Sequence, residues 1–445
     1  MVDSTDILKS LQNNQIRFLR VVWCDNANII RSKAIHRNAL PQRMAEGVGL
    51  SAAQQAIPVM ADFVVPGTGL GPVGEVWLVP DSTTLQRLPY APGHARVMGD
   101  MVKDEQPWPW CARQFLKRMI ARAADLGLEI KAAFEPEFYL LRVENGQVLP
   151  ADETVFAASL SMDLQHRLID AIADALTAQG LFIEQYYPES GPGQQELSVR
   201  YTHALGAADQ HVVYRETVKA VAHQHGLVAS FVPKIFEQAA GSGNHLHLSL
   251  WREGEENITG DGKGALSDVA SAFIAGLLEH LPALMALTTP STNSYRRLQP
   301  HCWSGAFRTW GFDNREAAIR VPGNPSPPSP THIELKTVDG AANPYLALGG
   351  AIAAGLDGIQ KKLPLPDPVD VDPGTLSEAE RTARQIDRLP TDLKTAIQHL
   401  QKSDSLTDAL GYPLAQAYLA VRQAEWEAMH MLSLEEEVKL LLERY

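Results

Sequence analysis

The apolar positions of this chain fall into two regimes. From residue 15 to residue 100 they come as short runs: Ile16-Arg-Phe-Leu-Arg-Val-Val-Trp-Cys24, Asn28-Ile-Ile30 and Glu75-Val-Trp-Leu-Val79. Breakers such as Pro66-Gly-Thr-Gly-Leu-Gly-Pro72 separate them, which predicts a small β-rich domain. Lys103-Asp-Glu-Gln-Pro-Trp-Pro109 reads as a linker and divides the chain into residues 1–104 and 105–445. Beyond it, helical periodicity alternates with strands. Leu164, Leu168, Ile172 and Leu176 recur every fourth residue within 162–180, and Gly180 supplies the stop. Residues 207–226 and 268–287 read the same way, and 374–445 reads as helical throughout. Pro322-Gly-Asn-Pro-Ser-Pro-Pro-Ser-Pro330 predicts a loop between strands.

Several predicted strands carry an unusual polar face. In Phe134-Glu-Pro-Glu-Phe-Tyr-Leu140, Glu135 and Glu137 leave the same side, with Phe134, Phe138 and Leu140 opposite. Glu144-Asn-Gly-Gln147 then reads as a hairpin turn. Glu189 closes one strand and Glu196 opens the next, with Gly191-Pro-Gly193 bending the chain between them. Gly243-Asn-His-Leu-His-Leu-Ser-Leu250 alternates His245, His247 and Ser249 against three leucines. Thr331-His-Ile-Glu-Leu-Lys-Thr337 sets Glu334 and Lys336 against Ile333 and Leu335. Taken singly, each is compatible with the solvated face of a two-layer sheet. Converging, they would gather five carboxylates and histidine. Like charges that close raise one another's pKa and need a cation to stay ionised. Oxygen-rich ligation with imidazole and no thiolate suits Mg²⁺ or Mn²⁺ better than zinc. Arg296, Arg297, Arg315 and Arg320 follow in the sequence, and guanidinium suits phosphate and carboxylate. No G-x-x-x-x-G-K-[ST] is present, so any nucleotide is held without a P-loop.

Composition narrows the partners. The 445 residues carry a formal net charge of -13, which argues against nucleic acid or an anionic membrane as the main partner. Cys24, Cys111 and Cys302 are widely spaced and read as free thiols of a reducing compartment. The first 25 residues lack a signal-peptide pattern, and no apolar run approaches the ~20 residues needed to span a bilayer, so the expectation is a soluble, cytoplasmic protein.

These motifs, in this order, resemble the glutamine synthetase family, class I/II-like, along essentially the whole chain. The resemblance is carried by E-P-E-F, the spaced Glu189/Glu196 pair, G-S-G-x-H-x-H-x-S, N-S-Y-x-R-L, N-R-x-x-x-x-R and the E-x-K-x-x-D-x-x-A-N-P-Y run at 334–345. Asp81-Ser-Thr-Thr84 is also similar to the family's small N-terminal domain. The resemblance implies an α+β fold, with an N-terminal β-grasp domain before a catalytic domain whose curved antiparallel sheet forms a half-barrel with outer helices. It implies a dodecamer of two hexameric rings with active sites between subunits. It implies two divalent ions per site and ATP as co-substrate. Glu137, Glu189 and Glu196 would hold one ion, and Glu135, His245 and Glu334 the other. His247, Ser249 and Arg320 would meet ATP. Arg297 would grip the substrate's α-carboxylate, helped by Gly241 and Lys336, and Arg315 would stabilise the transferring phosphoryl group.

The departures fall around the second substrate. Ammonia-using members carry a flap glutamate after R-L-x-P, and here Trp303 of His301-Cys-Trp-Ser-Gly305 stands in its place. Those members also carry an ammonium-binding aspartate where Glu46-Gly-Val-Gly-Leu-Ser-Ala52 presents Gly49. Losing two anions weakens attraction for a small cation, at about 1–4 kcal/mol per close pair. A tryptophan and a glycine offer apolar area, a cation-attracting ring and room. Lys336 replaces an arginine common in the family, and Ala240 an asparagine. No tyrosine lies in 363–373, so control by adenylylation is not supported. His301 and Cys302 have no partner pair at zinc-like spacing, and His223 and His225 read as surface residues at a helix end. Asp313 and Glu316 are candidates to replace the missing acid if Trp303 is only packing. Three functions are therefore expected: a ligase joining glutamate to an alkyl-, aryl- or polyamine; a glutamine synthetase with a rewired ammonium site; or a non-catalytic ring with a structural or nitrogen-sensing role.

Overall fold

A computed structural model describes residues 15–252, 256–323 and 331–445, so residues 324–330 of the predicted Pro-rich loop lie outside the described residues, as do residues 1–14. The N-terminal sheet contains β1 (Phe18–Cys24), β2 (Ile30–His36), β3 (Val48–Ser51), β4 (Glu75–Arg87) and β5 (His94–Lys103), ordered β2-β1-β5-β4-β3. On β1, Leu19, Val21 and Trp23 recur at period two and share a core with Leu50, Leu78 and Val97. The alternate residues Val22 and Cys24, with Met98 of β5, join the larger core of the rest of the chain. Both faces of β1 are thus covered, which is why its sequence is a nearly continuous apolar run.

The segment expected to be a linker is a tight hairpin. Gln106-Pro107 pairs back on β5 across Asp104 and Glu105, both at positive φ (50° and 61°). Trp108 is buried and stacks on Trp110 at 5.0 Å. Just beyond, Arg113 donates to Asp81 at 2.9 Å, Asp100 at 2.9 Å and Asp209 at 2.8 Å, tying β4 and β5 to two helices. Asp81-Ser-Thr-Thr84 forms an irregularity inside β4 that presents the Asp81 carboxylate to this arginine.

The second sheet is built around the long β6 (Glu129–Glu144). The strands used below are β7 (Ile183–Pro188), β8 (Gln194–Val199), β9 (Asn244–Arg252), β10 (Phe307–Phe312), β11 (Ala317–Val321) and β12 (Ile333–Leu335). Their order is β10-β11-β12-β9-β6-β8-β7. The pairing is antiparallel as expected, except that β10 and β11 run parallel at one edge. The Glu144/Gln147 hairpin forms as predicted, with Asn145 and Gly146 at φ 52° and 80°.

Helices α1 (Ala112–Asp125), α2 (Ser159–Thr177), α3 (Ala204–Gln224), α4 (Asp268–Thr288) and α5 (Pro344–Lys361) pack with this sheet in one core. On α2, Leu168, Ile172 and Leu176 are buried, whereas Leu164 is exposed. Contrary to the sequence reading, α4 is long and apolar enough by composition to cross a membrane; it is mostly buried within the fold instead. Glu279, His280 and Pro282 interrupt its apolar run without lowering its mean hydropathy enough to disqualify it. The C-terminal part is not helical throughout. Residues 384–392 leave the helical pattern after Glu378–Ala383, and Arg388 bridges to Phe307 of β10. Gln385 at φ 57° ends the first helix, and Pro390 precedes the next.

α4 and α5 meet at Gly276 and Gly358. A Cβ on Gly358 would lie 2.2 Å from the Ala272 carbonyl oxygen and 2.6 Å from the Gly276 Cα. Backbone cannot yield as a side-chain tip can, so we expect Gly358→Ala to destabilise by at least the roughly 1–3 kcal/mol typical of overpacking. Denaturant unfolding reads this directly, and an unchanged midpoint would contradict the close approach.

Candidate functional site

The sheet register brings the acids together. Glu135 on β6 lies opposite His245 on β9, and Glu137 lies opposite Glu196 on β8. His247 faces Glu334 of β12, which faces Arg320 of β11. The opposite faces of these strands place Phe134, Phe138, Leu246, Leu248, Ile333 and Leu335 in the core. Period-two alternation therefore fixes the polar set: a one-residue slip would bury carboxylates among leucines.

Glu135, His245, His247 and Glu334 make one half of the site. His245 Nδ1 stands 3.4 Å from both Glu135 Oε2 and Glu334 Oε1, and His247 Nε2 is 3.2 Å from Glu135 Oε2. Ligand atoms of Glu135, His247 and Glu334 all lie within 4.8 Å of one another, so His247, expected on ATP, is drawn into the same cluster. Arg320 Nη1 is 2.9 Å from Glu334 Oε2, and Lys336 Nζ is 3.0 Å from Glu334 Oε1. Lys336, expected on the amino acid, is thus paired with an acid. Burial works against ionisation of Glu135 and Glu334. The histidines overcome it at Glu135, and Lys336 with the histidines at Glu334, holding both carboxyls below their ordinary range.

Glu137, Glu189 and Glu196 make the other half, and there the balance reverses. Glu137 is pushed up to about 7 by burial and by Glu189. Glu196 is pushed up to about 10 by burial, then by Glu135 and Glu137. Glu189, at the end of β7, is raised chiefly by burial although it accepts from the Ser190 backbone N–H at 2.9 Å. Hydrogen bonds orient this half: Tyr187 Oη donates to Glu196 at 2.6 Å, and Gln194 Nε2 donates to Glu137 at 3.1 Å. His245 Nε2 at 3.9 Å from Glu137 Oε1 is the link between the halves. Buried acids that repel one another and lack a fixed cation fit a divalent metal, and the oxygen-and-imidazole donor set fits Mg²⁺ or Mn²⁺.

The arginine expected to hold the α-carboxylate is nearly buried. Arg297 Nη2 donates to the Lys336 and Val338 carbonyls at 2.9 Å each, while Nη1 has no partner. Such a buried, unsatisfied N–H is costly unless a ligand completes it. Gly241 is required for packing: a Cβ there would lie 2.5 Å from Arg297 Cγ. Its carbonyl accepts from Gln194 Nε2 at 3.1 Å. Ser249 Oγ accepts from the Trp251 indole at 2.8 Å. Gly49 lies elsewhere, on edge strand β3 opposite Trp77, where a Cβ would sit 3.5 Å from Glu75 Oε1.

The flap is pinned at unusual backbone angles. His301, Trp303 and Gly305 all have positive φ (61°, 53° and 76°). Two non-glycine residues in that region within three positions mark stored strain. Two acids hold them: His301 Nδ1 lies 2.6 Å from Asp372 Oδ2, and Glu316 Oε1 accepts the Trp303 backbone N–H at 2.8 Å. Trp303 is 57% exposed, with the Arg315 guanidinium 5.7 Å from its ring centroid. Trp303, Phe312, Asp313, Arg315, Glu316 and Asp370 line a cleft of about 330 Å³. Glu316, a candidate replacement acid, is buried and tied to the flap backbone; Asp313 is exposed and accepts from the Gly323 N–H at 2.8 Å. His223 and His225 are exposed, as expected.

Sequence reasoning missed Gln194, Tyr187 and His332. Gln194 lies two residues before Glu196, on the same strand face, and that spacing was the available signal. His332 is 5.2 Å from His247 by ring centroids, and its place two residues before Glu334 was the same signal.

Comparisons with known proteins bear on the family and the fold. A model described as "Glutamine synthetase, catalytic domain" matches residues 109–441, and "Glutamine synthetase N-terminal domain" matches residues 4–108. The chain is similar to "Type-1 glutamine synthetase 1" of Dictyostelium discoideum, at 34% identity over 98% of this chain and 91% of that protein. It is also similar to "Gamma-glutamylpolyamine synthetase GlnA3" of Streptomyces coelicolor, at 38% identity over 95% and 92%. The solved "GmaS/ADP complex-Conformation 1" superposes with a TM-score of 0.87 at 29% identity, covering 99% of each chain.

The carboxyl shifts set a pH dependence. An acid whose folded pKa is raised favours the folded state fully below its unfolded value and loses that contribution as pH rises through the folded value. For Glu137 the window runs from 4.5 to about 7, and for Glu196 from 4.5 to about 10. Glu135 and Glu334 shift the other way, so their contribution is already complete above the ordinary carboxyl range. A divalent cation binds the ionised forms and should offset the loss increasingly as pH rises. We expect the gain in Tm from a fixed concentration of Mg²⁺ or Mn²⁺ to be larger near pH 8 than near pH 6. A gain independent of pH would contradict the repulsion described here.

Proposed function

Because this chain belongs to the glutamine synthetase family, whose members are ATP-dependent ligases, we propose that it activates the γ-carboxylate of glutamate and joins it to an amine larger than ammonia. The carboxylate oxygen attacks the γ-phosphorus of ATP, ADP leaves, and an acyl phosphate forms. The amine nitrogen then attacks the acyl carbon, phosphate leaves with the C–O bond electrons, and the nitrogen gives up a proton to the departing phosphate or to water. Glu137, Glu189 and Glu196 would hold one Mg²⁺ or Mn²⁺, and Glu135, His245 and Glu334, with His247 adjacent, the other. Bound there, the ions supply charge neutralisation for the transferring phosphoryl group. Arg297 offers its free Nη1 to the α-carboxylate, above a floor kept open by Gly241. Arg320 and Ser249 serve the nucleotide side, and Arg315 steadies the developing phosphoryl charge. Lys336 acts through Glu334, holding that ligand ionised.

The observation that carries the amine reading is Trp303. It stands at the position of the flap acid of ammonia-using members, exposed beside a cleft of about 330 Å³. That space suits an organic amine and exceeds what ammonium needs. The relative named a gamma-glutamylpolyamine synthetase supports the same direction. A second reading, a glutamine synthetase with a rewired ammonium site, is favoured by the many relatives named plainly glutamine synthetase. A non-catalytic role fits poorly with an intact carboxylate cluster that repels itself without metal. Assembly as two hexameric rings would bring Gly49 of a neighbouring copy to the flap.

Phosphate release from ATP with glutamate, measured against a panel of alkyl-, aryl- and polyamines and ammonium, tests this. We expect an organic amine to support turnover at concentrations where ammonium does not. Best turnover with ammonium at low concentration would overturn the amine reading, and no turnover with any amine would favour the non-catalytic one. We further expect Trp303→Glu combined with Gly49→Asp to shift kcat/KM toward ammonium by about tenfold or more, on the scale of one restored charge contact. An unmoved amine profile would remove both positions from the amine site.

A further inference from the structure

A second and larger cleft of about 570 Å³ includes His301 of the flap but not Trp303 in its lining, and the reaction above does not use it. Gln299, His301, Phe307, Gly374, Arg381 and Arg388 line it. Two guanidinium groups share one aromatic ring there: Arg381 lies 5.4 Å and Arg388 5.1 Å from the Phe307 centroid. Neither arginine pairs with a carboxylate among the described residues. The nearby acids are engaged elsewhere: Asp387 with Arg308, Asp372 with His301, and Glu380 with the Ser377 cap. Arg388 donates to the Ala306 and Leu298 carbonyls, and Arg381 Nη1 donates to the Leu376 and Pro373 carbonyls, leaving Arg381 Nε and Nη2 without partners among the described residues. Two like charges against one ring in a half-buried cleft repel, and an anion bridging them would turn that repulsion into attraction.

We propose that this cleft binds a small organic anion, a carboxylate or phosphate carried on a compact apolar group, and that the bound anion fastens the flap. Phe307 and Pro300 supply the apolar wall, and Arg381 and Arg388 hold the charge. His301 supplies the link to the flap, because its ring packs against Gly374, where a Cβ would lie 2.7 Å from His301 Cε1. An occupant touching His301 would restrain the segment that carries Trp303 two residues later. The cleft is thus a regulatory site for amine use, and its existence does not depend on which amine is used.

The test uses the full chain with its nucleotide site filled by ADP and Mg²⁺, titrated calorimetrically with benzoate, phenyl phosphate and inorganic phosphate. We expect one saturable site per chain for benzoate or phenyl phosphate, the stronger of the two identifying the anion class. Arg381→Gln should weaken it by about tenfold or more, as expected for losing a charged hydrogen bond. Arg381→Lys should recover part of the loss, and ADP affinity should not change. Arg381 is chosen because Arg388 also holds carbonyls that shape the flap. Amide hydrogen exchange over residues 299–305 should slow when the anion binds. Absence of saturable binding by all three probes, or binding unaltered by Arg381→Gln, overturns the site. Binding without slowed exchange overturns the coupling to the flap.

Discussion

The rest of the site depends on repulsion among buried and half-buried carboxylates. Five of them leave one face of a single sheet, and the protein supplies fixed positive charge to only part of the set. Arg320 and Lys336 close on Glu334, and the histidines on Glu135, whereas Glu137, Glu189 and Glu196 face mainly one another. At a separation of about 4 Å, one such like-charge contact costs about 4 kcal/mol at an effective dielectric constant of 20. A protein of ordinary stability does not keep that arrangement by packing alone. A divalent cation, or retained protons, resolves it.

The scaffold is arranged to hold these acids where they would otherwise separate. β6 pairs with β9 and β8 on its two sides, so its register alone aligns Glu135 with His245 and Glu137 with Glu196. The opposite faces are sealed by leucine and phenylalanine, backed by helices α4 and α5 at a glycine contact too close for side chains. The flap adds a second device. Its left-handed residues are held by Asp372 and Glu316, so acids near the flap serve to shape it, while an exposed indole and Arg315 face the cleft.

Much of this was legible in the sequence because strand alternation is a local code. Glu135, Glu137, His245, His247 and Glu334 could be placed on one face from period two alone, and the family resemblance supplied their order. Features that depend on residues distant in sequence were not legible. Arg320 meets Glu334 from a neighbouring strand, 14 residues away, whereas the pairing of Lys336 with Glu334, two residues apart on one face, was open to the same local code and was overridden by the family expectation of a substrate carboxylate. Gln194 bridges Glu137, Gly241 and Ser242, which are separated from it by 47 residues or more. The expected linker at 103–109 contains prolines and charges, yet two positive-φ residues turn it into a hairpin capped by stacked tryptophans. The break at 384–392 follows from pairing with β10, which helical periodicity cannot register.

The most direct test of the cation requirement is diffraction from crystals of the full chain grown with Mn²⁺ and ADP, recorded at an energy where manganese scatters anomalously. The account predicts one anomalous peak among Glu137, Glu189 and Glu196 and a second among Glu135, Glu334 and a histidine, His245 or His247. Ordered nucleotide without manganese in either cluster would contradict it.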